Sequence, residues 1–253
     1  MTTTGTDALG TGTPTTGTRA TRILGVITLA LLATVAVLGL TVTPEDEQFG
    51  QSVRLIYVHV PSAWVAYLAF GITAVGSALY LWKRTRSPAW DRIAGVAAEI
   101  GVVFTALCLM TGMVWGEITW GTWWVWDARL TTTALLFIMF LGYLAIRRLD
   151  GAHEVVARRS AIAGLIAAID IPIVHQSVDW WRGLHQDATV LRRDLDPQIE
   201  DMLAFTLLLG TVAFTMAFVW LAIHRNRVAM LEEIVERHHL DEAIAARHAE
   251  GVR

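Results

Sequence analysis

The chain has 253 residues, of which 54% are hydrophobic and 17% charged, with a formal net charge of −3. Soluble domains carry about 25% charged residues, so this composition indicates a membrane protein, and we expect no nucleic-acid partner. The single cysteine, Cys108, lies in an apolar run, which excludes an intrachain disulfide or a cysteine-pair zinc site.

Six apolar segments of membrane-spanning size follow one another along the chain. A spanning helix needs about 20 apolar residues. The segments are 23–43, 61–82, 93–114, 130–146, 160–177 and 202–223. Backbone groups in lipid must be paired within each segment, which favours helices over strands. We therefore expect an all-α integral membrane bundle of six transmembrane helices, although Asp170 and Pro172 in the fifth segment leave a re-entrant segment as an alternative.

Two tails flank this bundle. Residues 1–22 are rich in Thr and Gly and lack apolar periodicity, which predicts a disordered tail. Residues 23–223 form the predicted six-helix domain. Residues 224–253 form a second tail, whose alternation of apolar and charged residues predicts a short amphipathic helix.

The basic residues predict the orientation of the bundle. Cytoplasmic segments carry an excess of Lys and Arg. With the N-terminus inside, 15 of the 20 basic residues lie on the inner side, and the outer segments hold only Arg54, Arg129, Arg182, Arg192 and Arg193. Both termini are then cytoplasmic, and 44–60, 115–129 and 178–201 face the outside.

Residues 115–127 are the most informative stretch, because they hold five of the eleven tryptophans. Gly116 and Gly121 allow backbone and rings to pack closely, and Asp127 and Arg129 supply charges at the end. Such a stretch offers a flat aromatic surface for a large planar ligand. The alternative is an interfacial belt, in which Trp is enriched because its ring is amphipathic.

Three histidines lie at or near the outer face: His59, His175 and His185. Imidazoles from separate segments can supply both axial positions of a haem iron, with Trp rings covering the porphyrin. Haem propionates need cationic partners, for which Arg54 and Arg129 are the candidates. Arg129 has the alternatives of pairing with Asp127 or snorkelling at a helix end.

Two carboxylates, Glu99 and Asp170, fall inside predicted spans. Carboxylates within the membrane are costly and usually face the bundle interior. A structural hydrogen-bond anchor is favoured for each over a proton relay. Nucleotide-binding loops and the usual hydrolase and protease motifs are absent from the sequence.

The segment Trp120-Gly-Thr-Trp-Trp-Val-Trp-Asp127 resembles the WGxxWxWD signature of haem-handling membrane proteins. Within that superfamily the chain most resembles the haem exporter protein C family of cytochrome c maturation, over about residues 45–223. The stretch from His175 to Gln186 and the His-Val-Pro context of His59 add to the resemblance. Asp187 departs from it, since a glycine is common there.

The resemblance implies a function. It makes this a haem-binding and haem-transfer protein rather than an enzyme, presenting haem b at the outer face of the cytoplasmic membrane to a periplasmic haem chaperone. It implies ABC-transporter subunits and a small single-span membrane protein as partners. The implied axial ligands of the iron are His59 and His185. The expected haem-contacting residues are Trp115, Trp120, Trp124, Trp126, Asp127, Arg54 and Arg129.

Two other functions fit a polytopic membrane protein. A membrane b-type haem redox protein usually places paired histidines within its spans, whereas the favoured pair here lies at the outer ends. A proton-coupled secondary transporter working through Glu99 and Asp170 is expected to show inverted repeats and broken helices in both halves. Only one weakly broken segment and no repeat are found.

Overall fold

The computed structural model describes residues 17–47, 49–181, 183–185 and 200–251. Within these ranges the chain forms seven α-helices and no β-strand. They are α1 (Arg19–Val37), α2 (Ile56–Leu81), α3 (Pro88–Trp120), α4 (Ala128–Ile146), α5 (His153–Ala168), α6 (Asp170–Trp180) and α7 (Asp201–Gly251). A π-helical turn, Leu38–Val42, extends α1, and a 3-10 turn, Gln51–Leu55, precedes α2.

Six helical segments are long and apolar enough to cross a membrane, which confirms the predicted all-α bundle. They are Arg19–Val42, Gln51–Leu81, Pro88–Trp120, Ala128–Ile146, His153–Trp180 and Asp201–Gly251. Because successive spans run in opposite directions, the start of α2, the end of α3, the start of α4 and the end of α6 lie at one end of the bundle. We call this end the outer end, and residues 121–127 between α3 and α4 the tryptophan loop.

The fifth span is interrupted where the sequence predicted a break. Helix α5 ends at Ala168 and α6 begins at Asp170, with Ile169 between them still in the right-handed helical region (φ −62°, ψ −29°). Proline has no backbone N–H, so Pro172 cannot donate to the Ala168 carbonyl four residues earlier. The helical hydrogen bonding tightens locally to a three-residue spacing, with the Ile169 N–H donating to the Ile166 carbonyl. The two helices together form one candidate span.

The first and last helices both extend beyond the limits of the predicted spans. Helix α1 begins at Arg19 rather than 23, because Thr18 caps it: the Thr21 N–H donates to Thr18 Oγ1 while Thr18 N–H donates to Thr21 Oγ1. Residues 1–16 of the expected disordered tail lie outside the described residues. At the other end, α7 runs unbroken through the expected boundary at 223, which makes it about 76 Å long.

Helix α2 is the centre of the bundle, since it packs against α3, α5 and α7. Its Phe70 ring stacks on Phe140 of α4 at 3.7 Å between centroids. A Cβ at Gly101 of α3 would come within 2.6 Å of the Phe70 ring, so only glycine allows α3 to lie this close. Near the outer end a second apolar cluster joins α1, α2 and α7 through Val35, Tyr57 and Leu207.

Ion pairs hold the helices together at the opposite, inner end. Asp91 of α3 is 4% exposed and accepts two hydrogen bonds from Arg147, at 2.6 and 3.0 Å. Glu99 accepts two from Arg225 of α7, at 2.6 and 3.1 Å. This pairing gives Glu99 the anchoring role favoured from the sequence.

We predict that Arg147→Leu lowers the stability of the bundle by about 3–5 kcal/mol, because it leaves the buried Asp91 carboxylate without its charged partner. Thermal unfolding of the detergent-solubilised protein measures this effect. Arg148→Leu is the matched control, since Arg148 is exposed. The double variant Asp91→Asn/Arg147→Leu should recover much of the loss. Equal midpoints for the Arg147 and Arg148 variants would contradict the prediction.

Candidate functional site

Four segments at the outer end converge on one site: the first turns of α2, the end of α3, the tryptophan loop and the short segment after α6. They bring His59, Trp120, Asp127 and His185 into one neighbourhood. His185 and Arg129 both lie close enough to His59 to interact with it electrostatically. The structure thus brings together the two histidines and the cation that the sequence selected separately.

His59 is fixed against α3 by its Nδ1 atom. This atom lies 3.0 Å from the Cys108 carbonyl oxygen and 3.0 Å from Thr111 Oγ1. A carbonyl oxygen can only accept, so the proton of the neutral imidazole sits on Nδ1. The Thr111 hydroxyl donates to the Leu107 carbonyl and keeps its lone pairs free for His59. Nε2 of His59 therefore carries the lone pair that can bind a metal.

The surface of α3 is shaped for this ring. A Cβ at Gly112 would lie 3.0 Å from Cε1 of His59, so glycine at this position lets the imidazole lie flat on the helix. The Cys108 side chain is buried and unpaired, in agreement with its predicted role as a small apolar residue. Its backbone carbonyl oxygen lies 3.0 Å from His59 Nδ1, and its thiol sulfur lies 3.9 Å from the same atom.

His185 is fixed by a carboxylate. Its Nδ1 atom lies 2.5 Å from Asp127 Oδ2, while Asp127 Oδ1 accepts from the Leu130 N–H at 2.8 Å and caps α4. A carboxylate oriented by a helix N-terminus in this way holds a histidine in one tautomer and ring orientation. Nε2 is again the nitrogen left for a ligand.

Glycines and a ring contact allow the close approach of these segments. A Cβ at Gly183 would lie 3.3 Å from the Asp127 carboxylate, so a side chain there would crowd the pair. Gly121 ends α3 in the left-handed region (φ 69°), which turns the chain into the tryptophan loop. Trp120 packs edge-on to the His185 ring, with centroids 5.0 Å apart.

Burial keeps His185 neutral. Desolvation lowers the pKa of the His185 imidazole below its usual value, and this effect outweighs the hydrogen bond and charge of Asp127, which favour the protonated form. A neutral imidazole at pH 7 retains its Nε2 lone pair, which a protonated one lacks.

Arg129 supplies positive charge beside the two imidazoles. It donates from Nη2 to the His175 carbonyl at 3.1 Å, and its Nε is buried with no hydrogen-bond partner within the described ranges. The expected pairing with Asp127 is not its main contact, since Asp127 is occupied by His185 and Leu130. His175 itself is exposed and lies edge-on to Tyr67 at 6.4 Å.

Two other expected haem-contacting residues face α1 instead. Arg54 donates from Nη1 to the Leu40 carbonyl at 2.8 Å, which satisfies an orphan carbonyl at the end of α1. The Trp115 ring packs against Phe49, with centroids 5.7 Å apart. Their contact with haem stays a prediction, and each has a packing or capping role that the sequence did not reveal.

The remaining tryptophans form an exposed aromatic surface. Trp126 is 82% exposed and packs edge-on to Trp124, with centroids 5.5 Å apart. The Trp124 Nε1–H is buried without a partner among the residues described. Trp123, Trp180 and Trp181 are also exposed, so one end of the bundle presents a large apolar face beside the two histidines.

Three site residues could not be found from sequence reasoning. Thr111 and Gly112 lie outside the motifs, Gly183 lies in the His175–Gln186 stretch but was not singled out, and Thr111 is 52 residues away from the histidine that it contacts. Within the described ranges no group of three or more His, Cys, Asp or Glu residues is arranged to hold a metal ion by itself. The donor set suits a metal that brings its own equatorial ligands, as haem iron does.

Fold and site together define a polytopic membrane protein with two oriented imidazoles beside a tryptophan surface. Residues 11–241 match the family model described as heme exporter protein C, and the chain belongs to this family. It is 39% identical over 215 residues to heme exporter protein C of Bradyrhizobium diazoefficiens, covering 85% of this chain and 78% of that protein. It is 36% identical over 211 residues to heme exporter protein C of Haemophilus influenzae, covering 83% and 85%.

We predict that Asp127→Asn moves the His185 proton from Nδ1 to Nε2. The Asn carbonyl would keep the cap on Leu130 N–H, which turns the amide NH₂ toward Nδ1 and makes Nδ1 an acceptor. Nitrogen-15 NMR of histidine-labelled protein distinguishes the two tautomers. Asp127→Ser is the control, because it keeps a capping oxygen without an amide donor. An unchanged tautomer in Asp127→Asn would contradict this geometry.

Proposed function

We propose that this protein binds haem at its outer end through His59 and His185 and presents it there to an acceptor, a periplasmic haem chaperone, during cytochrome c maturation. The observation that carries this proposal is the shared arrangement of the two imidazoles. Each has its Nδ1 engaged by an acceptor, Cys108 O or Asp127 Oδ2, and each leaves Nε2 as the donor atom. Two such nitrogens are the axial set of a bis-imidazole haem.

The surroundings of the imidazoles suit a porphyrin with acidic side groups. Exposed indole rings of the tryptophan loop offer flat apolar contact, for which Trp126 is the most open. The buried Nε of Arg129 is an unused donor that suits a propionate oxygen, because guanidinium binds carboxylate bidentately. A belt that only anchors the protein in the interface does not require two oriented histidines beside the tryptophans.

The two histidines that would bind the iron indicate the type of haem and the way in which the protein handles it. Two histidine ligands suit haem b held without a covalent bond, since the chain has a single cysteine, Cys108, and its side chain is buried. The two histidines are oriented to bind a ligand, which supports a protein that acts by binding and handing over its cargo. The proposed membrane partners are ABC-transporter subunits and a small single-span protein. The relatives' name, heme exporter protein C, refers to export and supports this proposal.

The competing functions find less support. Glu99 is one of the two carboxylates required by a proton-coupled transporter. It accepts hydrogen bonds from Nε and Nη2 of Arg225. Asp170 is buried at the start of α6, and its Oδ2 atom has no hydrogen-bond partner among the described residues, so the anchoring role favoured for it from the sequence stays a prediction. A redox protein with haem buried between helices is disfavoured because His185 lies after the last turn of α6, beyond the span.

The proposal is tested by the absorption spectra of three variants. We expect the haem-loaded protein to be six-coordinate and low-spin, and His59→Ala and His185→Ala each to lose this spectrum and retain haem less well. His175→Ala is the matched control, since its exposed ring lies on the same face, and it should keep the low-spin spectrum. Loss of the signal in His175→Ala alone would assign the second ligand to α6 instead.

The proposed location is the cytoplasmic membrane, with the haem site outside. It rests on the 15 basic residues placed on the inner side by the six spans. A reporter active only outside the cytoplasm should be active when inserted after Gln186 and silent when fused after Arg253. A reporter active only in the cytoplasm is the control and should give the reverse pattern. The opposite pattern in both would place the histidines in the wrong compartment.

A further inference from the structure

The two imidazoles of the site are held by chemically unequal partners. Nδ1 of His185 donates to a carboxylate oxygen at 2.5 Å, whereas Nδ1 of His59 shares its proton between a backbone carbonyl and a threonine hydroxyl, both at 3.0 Å. Hydrogen bonds to ionised acceptors are shorter and roughly twice as strong as neutral ones. An imidazole that donates to a carboxylate is a more basic metal ligand.

The residues that surround the two imidazoles also hold His185 more firmly than His59. Asp127 is itself held by the Leu130 N–H at the α4 N-terminus, where the helix dipole stabilises its negative charge. Trp120 packs on the His185 ring from the end of α3. The partners of His59 Nδ1 are all neutral: the Cys108 carbonyl, the Thr111 hydroxyl and, at 3.9 Å, the Cys108 thiol.

Resting on the proposed function, we infer that His185 is the ligand retained during transfer and that His59 is the ligand that leaves, with Thr111 as the positioning residue that sets how readily it does so. In the exchange the bond between iron and His59 Nε2 breaks and its electron pair returns to the imidazole. A new bond forms from the lone pair of a Lewis-base side chain of the acceptor, with a nitrogen or oxygen donor atom. No proton or electron is gained or lost by the chain.

Carbon monoxide replaces the weaker axial ligand of ferrous haem, so it reports which histidine leaves. The probe is CO added to the purified, haem-loaded, reduced protein, and the Fe–CO stretching frequency reports the ligand opposite to CO. We expect the wild-type adduct to match that of His59→Gly, in which CO faces His185. A match to His185→Gly would overturn the inference, and so would failure of CO to bind, since it would show that neither ligand leaves.

Two variants test the same point while keeping both histidines. Asp127→Ser, which keeps the α4 cap, should shift the Fe–CO frequency because the retained ligand loses its carboxylate. Thr111→Val should leave the frequency unchanged and speed CO binding by about 10-fold, the lower end of the effect of losing such a partner. Thr111→Ser should restore the wild-type rate, which a purely structural role of this residue does not explain.

The reverse pattern, a frequency shift in Thr111→Val and none in Asp127→Ser, would show that His59 is retained. A wild-type protein that takes up no haem would instead remove the proposed function, so the two failures are distinguishable. If the protein binds haem through both histidines but Asp127→Ser and Thr111→Val have equal effects, the proposed function stands and the inference that His59 is the leaving ligand is wrong.

Discussion

The carboxylate of Asp127 is the interaction on which the outer end of this protein depends. One oxygen caps α4 and the other holds His185, so a single side chain joins a helix start to the segment that carries His185. The capped helix keeps the carboxylate oriented, and Gly183 leaves room for the loop to reach it. Changing this residue therefore affects local folding and histidine orientation together, which is why Asn and Ser replacements separate the two roles.

The rest of the bundle serves to hold this arrangement at a fixed height in the membrane. Helix α2 carries His59 on its first turns and is packed on three sides, so the imidazole is positioned by a well-buried helix. Helix α3 contributes the Cys108 carbonyl near its outer end, and its inner end is tied to α4 by Asp91 and Arg147. Of the two proposed haem ligands, His59 thus relies on rigid helices and His185 on a segment anchored by a carboxylate.

Hydrophobicity was enough to predict the six spans, because each must satisfy its own backbone in lipid. Pro172 likewise marked the break in the fifth span, since a missing N–H acts locally. The helix of the sixth span continues past 223, where polar residues such as Arg225 look like a tail in the sequence, because Arg225 pairs with Glu99 of α3. The contacts of Thr111 and Arg54 were beyond sequence reasoning, since they depend on which turns of two helices face each other across the fold.

The length of α7 has a mechanical consequence. A bilayer with its headgroups is about 40–45 Å thick, so a helix of about 76 Å extends well beyond it on the inner side. Helix α7 starts at Asp201, at the same end as the histidines, and its inner part is bound to α3 through Arg92–Glu233 and Arg225–Glu99. A helix cannot easily shorten or stretch, so a tilt imposed at either end is carried to the other. A displacement of α7 at the outer end of the bundle is therefore transmitted to the part of the helix that extends beyond the inner face of the membrane.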